Sequence, residues 1–373
     1  MEKTGSADLP LHGGKAPRWL FKRMEKLTGA ISEVVIHEYS QEELLQRLSD
    51  PYWFQSLGCV VGFDWHSSGL TTTLTGALKE ALDEEEHGIK VVGGKGSTSR
   101  KAPDEILSSD ICNFSTLEEL AETSKLSAKV DSNCVQDKYN LYHHVLIFTE
   151  KGDWTVVQQG MNPGDRYARR YHWLSDRVNS FVEEPHRGIS AQQREDRVLN
   201  LTSRLSEETR EVSVDLVNDG PEHLERYLKP KSQTSVFNFS GSPKMKKELD
   251  MPSHHDVRVS ELTQQTLKNL KKAEQRQPEN YEELVETEGV GKKSLRALAL
   301  VAQLVHGTEN DWKDPAKYSY AHGGKDGYPR PVDREEYDSS IQFLKEALEK
   351  AEIGKKEKMK SLEKLNEFMD RTT

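Results

Sequence analysis

Asp64 and His66 stand two residues apart in Gly62-Phe63-Asp64-Trp65-His66, at the end of the apolar run Cys59 to Phe63. On a strand such a pair points to one face of the sheet. Asp131, Asp137, His143, His144, Glu150 and His172 add carboxylates and imidazoles in the same half of the chain. An acid at the end of a central strand, with acids and histidines on its neighbours, is the layout of a two-metal phosphodiesterase. There, metal-bound carboxylates activate water and stabilise the leaving oxygen. Oxygen ligands suit Mg²⁺ or Mn²⁺, and imidazoles move the preference toward Mn²⁺ or Zn²⁺. The expected divalent-metal ligands are therefore Asp64, His66, Asp131 and His143, with Asp64 and Asp131 also catalytic. His143 and His144 are adjacent and face opposite sides of a strand, so at most one of them is a ligand. Taken singly, each of these residues is more often structural.

Two other stretches could hold phosphate. Gly93-Gly94-Lys95-Gly96-Ser97-Thr98-Ser99-Arg100-Lys101 follows an apolar strand. Its glycines can present backbone N–H groups, and Lys95, Arg100 and Lys101 add charge. The order of residues fits neither GxxxxGK[ST] nor GxGxxG, so no nucleotide cofactor is expected. Arg166, Tyr167, Arg169, Arg170, Tyr171, His172 and Trp173 interleave cations with aromatics, as a nucleic-acid track does, and Arg169 and Arg170 would position phosphates. The plainer alternatives are a flexible surface loop and an amphipathic segment with its aromatics packed inward.

Leu284 to Ala299 reads as a helix, a Gly289-Val290-Gly291 turn and a second helix, with Lys292, Lys293 and Arg296 at one end. This stretch resembles the helix–hairpin–helix of DNA-repair proteins. The glycines let the backbone turn tightly, and the free N–H groups of the second helix favour an anion. Glu286 and Glu288 flank the turn, and an ordinary helical hairpin is the alternative. In glycosylases of that class a hairpin lysine is the nucleophile and an aspartate follows one helix later. The resemblance casts Lys293 as that catalytic lysine, with Asp311 beyond it, although Asn310-Asp311-Trp312-Lys313 departs from the family's pattern.

These groups need a scaffold. Ile31 to Glu38, Cys59 to Asp64 and Ile89 to Val92 read as strands, and Gln41 to Leu48 and Thr71 to Leu82 as helices. Tyr142 to Phe148 and Trp154 to Gln159 flank a turn and form the clearest hairpin. Gln192 to Arg210 reads as a charged helix, Pro230 to Pro243 as a linker, and Lys345 to Arg371 as a charged helix, solvated or holding a partner. The expected fold is an α/β N-terminal domain with a mixed, ribonuclease-H-like sheet, then an all-α helix–hairpin–helix domain and a charged C-terminal helix. The expected boundaries are 1–189 for the catalytic domain, 190–243 for a helical connection and linker, 244–334 for the hairpin domain and 335–373 for the tail.

Composition narrows the class. Lys+Arg number 52 against 62 Asp+Glu, a net charge of −10, which excludes a protein that coats nucleic acid through bulk charge. Discrete basic clusters still permit local grip. No apolar run approaches the roughly 20 residues of a membrane span, and the start of the chain has no apolar signal core. Three cysteines without a CxxC pair fit a reduced, cytoplasmic protein.

Lys3 to Gly14, Gly62 to Gly69, Leu141-Tyr142-His143-His144, Trp154 to Asn162 and His322 to Gly327 together resemble the domain-of-unknown-function 763 family of archaea and bacteria, over about residues 1–340. The leading expectation is a nucleic-acid-processing protein, a metal-dependent DNA nuclease linked to repair, with DNA (or RNA) as its partner. The alternatives are a glycosylase or abasic-site lyase using Lys293 and a non-enzymatic adaptor for DNA or protein.

Overall fold

The computed structural model describes residues 18–62, 69–164, 167–191, 194–221 and 263–319, with 342, 344–350, 359 and 361–362. It divides into two compact units. The first contains residues up to Asp131, Lys138–Asp196 and residues from Asp314 on; the second contains Ser132–Asp137 and Arg197–Lys313.

The first unit opens with α1 (Arg18–Glu38), α2 (Gln41–Ser49), α3 (Pro51–Val60) and α4 (Gly69–Ala81). Two of these segments were expected as strands. Ile31 and Val35 lie four apart and are fully buried, so the stretch to Glu38 is the inner stripe of α1. Cys59 and Val60 end α3, which is capped by Asp50, whose Oδ1 accepts from the N–H groups of Tyr52 and Trp53 at 2.8 Å, and which begins at Pro51. Burial on nearly every side makes a helix end look like a buried strand in sequence.

Short helices α5 (Glu84–His87) and α6 (Ala102–Leu107) surround β1 (Ile89–Lys95), which leads into a 3₁₀ turn over Gly96–Lys101. The long α7 (Phe114–Asn133) precedes β2 (Val135–Gln136). Then come β3 (Asn140–Thr149), β4 (Trp154–Met161), β5 (Ala168–Leu174) and β6 (His186–Ala191). With β7 (Leu199–Asn200) and β8 (Tyr318–Ser319), the strands form a six-stranded sheet, β1-β3-β4-β5-β6-β8, and a small β2–β7 pair. The large sheet is antiparallel except for β6–β8, so the expected mixed α/β layer is present. Nothing specific to ribonuclease H marks this strand order.

One sheet face supplies Val91, Val145, Ile147, Val157 and Leu174 to a core shared with α1 to α4. The other face meets α7. Leu344, Ala347 and Leu348 belong to the first core, at 0%, 3% and 0% exposure. The start of the charged C-terminal stretch is therefore a packed element of this unit, and its charges occupy the outer side.

The second unit holds α8 (Glu207–Asn218), α9 (Gln264–Arg276), α10 (Tyr281–Glu286) and α11 (Lys292–Val301). The charged helix expected over Gln192 to Arg210 begins only at Glu207, after β7 and a 3₁₀ turn. The expected linker, Pro230 to Pro243, lies outside the described residues.

Leu348→Ala is expected to lower stability by about 3 kcal/mol through the cavity it leaves, read as a fall in the urea midpoint. A solvated residue at that position would change it by less than about 0.5 kcal/mol.

Candidate functional site

Strand register assembles a row of polar residues that are far apart in sequence. Lys95 pairs with His143, His143 with Gln159, Gln159 with Arg170, and Arg170 with Ser190. Directly opposed residues share a face, so five neighbouring strands each place one polar group in this row. The adjoining rows on that face are mostly apolar, with Val145 beside Val157 and Ile147 beside Thr155. Helices α3 and α4 answer the polar end with Gln55, Thr71 and Thr75.

Hydrogen bonding assigns the tautomers here. Thr75 Oγ1 donates to the Thr71 carbonyl at 2.8 Å and so accepts from His143 Nε2–H at 2.9 Å. Among the described residues His143 Nδ1 has no hydrogen-bond partner and is a buried lone pair. Burial, with repulsion from His144 and Lys95, holds the His143 pKa down to about 3. Arg170 is 1% exposed. It donates to His172 Nε2 at 2.7 Å and to Gln55 Oε1 at 3.1 Å, and lies 4.5 Å over the Phe54 ring. His172 Nδ1–H in turn donates to the Leu48 carbonyl at 3.2 Å, and burial keeps this imidazole neutral.

The opposite face carries a second polar chain. Asp131 Oδ2 accepts from Gln158 Nε2 at 2.6 Å and Trp173 Nε1 at 3.0 Å, and Oδ1 meets His186 Nε2 at 2.5 Å. Gln158 Oε1 accepts from His144 Nδ1–H at 3.1 Å, and His144 Nε2 accepts from Ser124 at 2.8 Å. Burial raises the Asp131 pKa against the pull of His186, and lowers that of His144 to about 4. Two of the four expected ligands are thus not brought together. Asp131 and His143 lie on opposite faces of the sheet, and the oxygens of Asp131 are taken by neighbouring side chains.

Asp64 and His66 lie outside the described residues. Among the described residues no group of three His, Cys, Asp or Glu is placed to hold a metal ion. Of the expected phosphate contacts, Lys95, Arg100 and Lys101 are exposed. Arg169 is not: it is fully buried and bound through two bonds, 3.0 and 2.6 Å, to Asp314, with its Cζ 4.5 Å from the Tyr139 ring. The interleaved cations Arg169 and Arg170 thus point inward, one to each face, because a strand alternates.

In the second unit α10, the Thr287–Gly291 turn and α11 form a helical hairpin. Gly289 has φ +87°, and a Cβ there would come within 2.8 Å of the Asn269 side chain, which donates to the Gly289 carbonyl at 2.6 Å. Val290 is buried between the helices, and Gly291 caps α11. The Lys292 N–H donates to Asn133 Oδ1 at 3.1 Å, and the Lys292 carbonyl accepts from Gln136 at 2.8 Å. Asn133 is neutral, so this hydrogen bond itself leaves the partial positive charge of the helix start uncompensated. Lys293 is exposed rather than held in a pocket, and Asp311 Oδ1 accepts from the Lys313 N–H at 2.9 Å, as a turn former does. The lyase geometry is absent from these two residues.

Sequence reasoning missed Gln159, Thr75 and Ser190. The signal was available for Gln159, because the tight β3–β4 turn sets the register that puts it opposite His143. Thr75 required knowing which helix covers the face.

His143, His144 and His172 are neutral in the fold and have lowered pKa values there, whereas the unfolded imidazoles titrate at about 6.5. On acidification the unfolded chain takes up protons first. This contribution to stability is full above about pH 6.5 and is lost progressively below it, down to about pH 4 for His144 and about pH 3 for His143, with a slope of at most about 4 kcal/mol per pH unit for three protons. Urea midpoints between pH 7 and 5 check the slope, and His144→Gln should remove one proton from it.

No curated protein and no solved structure was found to match this chain. A family model, described as a protein of unknown function, matches residues 5–332. The match spans most of the chain, including every strand of the large sheet and the helical hairpin, and the chain therefore belongs to the DUF763 family.

Proposed function

We propose that this chain is a nucleic-acid-processing protein, a DNA nuclease linked to repair. The observation that carries the reading is the hairpin. A turn made by Gly289 and Gly291 delivers an exposed Lys293 and a half-buried Lys292 to the first turn of α11. Backbone N–H groups and lysines at a helix start suit a phosphate. The Asn133 amide that accepts the Lys292 N–H satisfies its hydrogen bond without neutralising charge, so a phosphate approaching this end still gains attraction.

Phosphodiester cleavage is assigned to the first unit. A divalent cation, Mg²⁺ or Mn²⁺, would be held by Asp64 and His66 and would supply an activated water. The described residues add a polar row with the exposed Lys95 on its edge strand. Among the described residues, that row holds no carboxylate, so it suits the phosphate side of such a reaction better than the metal side.

Binding of labelled DNA to the full chain should weaken in the Lys292→Ala/Lys293→Ala double variant. Its log–log salt slope should fall by about 2 if both lysines neutralise phosphates. An unchanged slope removes the hairpin from the interface. Incubation with Mn²⁺ should cleave DNA, and Asp64→Asn should abolish cleavage. Binding without turnover would instead identify a non-enzymatic adaptor, and metal-independent trapping of a covalent DNA adduct by borohydride would identify a lyase.

A further inference from the structure

His143 Nδ1 is one of several buried polar atoms that have no hydrogen-bond partner among the described residues, and Ser190 Oγ at the far end of the same row is another. The ring is fixed by the Thr75–Thr71 chain, so Nδ1 carries a lone pair and no hydrogen. It is buried, and among the described residues nothing donates to it. A buried acceptor of this kind is costly unless something with a hydrogen meets it. Its neighbour in the row, Lys95, is exposed on the edge strand β1, with Nζ 5.8 Å from the centre of the half-buried Tyr142 ring. Tyr142 is hydrogen-bonded to Gln159, the neighbour of His143 on the other side. Just beyond Lys95 the backbone turns at Gly96, φ +65°, where a Cβ would meet nothing within 4 Å. Glu105, a carboxylate bonded to this edge through the Gly93 N–H, is paired with Lys79 at 2.6 Å. Arg170 adds positive potential two strands beyond His143.

We infer that the Lys95 end of the row is a binding site for a phosphate group that still carries a hydrogen. Lys95 meets the charged oxygens, and His143 Nδ1 accepts the P–OH hydrogen. The same site excludes sulfate, which is fully ionised near neutral pH and offers no hydrogen to a bare acceptor. Two oxygen lone pairs would then face the nitrogen lone pair. A terminal phosphate of a nucleic-acid strand and a free nucleotide or inorganic phosphate share this chemistry. The inference deepens the nucleic-acid reading only for the first source, and it does not draw on the hairpin.

Calorimetric titration of the full chain with inorganic phosphate and with sulfate tests it. Phosphate should bind at least tenfold more tightly than sulfate. Lys95→Ala, at an exposed position that leaves the fold intact, should weaken phosphate at least tenfold. His143→Asn, checked for folding by its melting curve, replaces the acceptor with an amide able to donate and should bring sulfate within threefold of phosphate. Equal affinity for the two anions in the unmodified chain, or no binding of either, overturns the inference, as does a Lys95→Ala variant that binds phosphate normally. A 5′-phosphorylated oligonucleotide that binds tenfold more tightly than its 5′-hydroxyl counterpart assigns the source to strand ends. Equal binding of the two, alongside tight inorganic phosphate, assigns it to free phosphate or nucleotide. Lys292→Ala/Lys293→Ala should leave phosphate binding unchanged, which separates failure of the hairpin reading from failure of this one.

Discussion

A carboxylate at 0% exposure organises the first unit. Asp131 comes from α7, and its partners come one each from β4, β5 and β6: Gln158, Trp173 and His186. Removing such a charge from water costs several kcal/mol unless the remaining bonds are well made. A slip of any of these strands by one residue would turn its partner to the other face and leave the acid stranded. The register of the sheet and the seat of α7 are therefore a single specification. Every other polar arrangement on the sheet inherits it, including the row on the far side.

That inheritance explains how one sheet keeps two chemistries apart. His143 and His144 are neighbours in sequence, yet one bonds Thr75 under α4 and the other bonds Ser124 on α7. Arg169 and Arg170 part in the same way, toward Asp314 and toward His172 and Gln55. The ion pair of Arg169 serves packing. The row with Arg170 holds an acceptor at His143 that no described residue satisfies, and a buried polar group of this kind calls for an explanation.

The helical hairpin, the β3–β4 hairpin and the separation of the two histidines were all legible in the sequence, because each follows from short-range periodicity or from a turn that sets its own register. The ends of α1 and α3 were not. Ile31 to Glu38 and Cys59 to Gly62 carry β-branched or uniformly apolar residues, and only the caps upstream, such as Asp50 with Pro51, declare a helix. The metal reading gathered Asp131 and His143 because composition alone cannot say which face a residue takes. The inward turn of Arg169 and Arg170 was hidden for a similar reason: the partner Asp314 lies 145 residues away.

The same distance bears on how the chain is made. Asp314, the short strand β8 and the buried leucines from Leu344 on complete a unit whose other five sheet strands are laid down by residue 191. At about 5–20 residues per second of synthesis, the guanidinium of Arg169 waits on the order of ten seconds for its counter-charge. During that interval the first unit must either stay open or hold an unpaired cation in its interior. The second unit, whose described helices fall within the intervening stretch, can close first. The Arg169–Asp314 pair therefore ties the early strands of the first unit to the segment that follows the second unit in the chain.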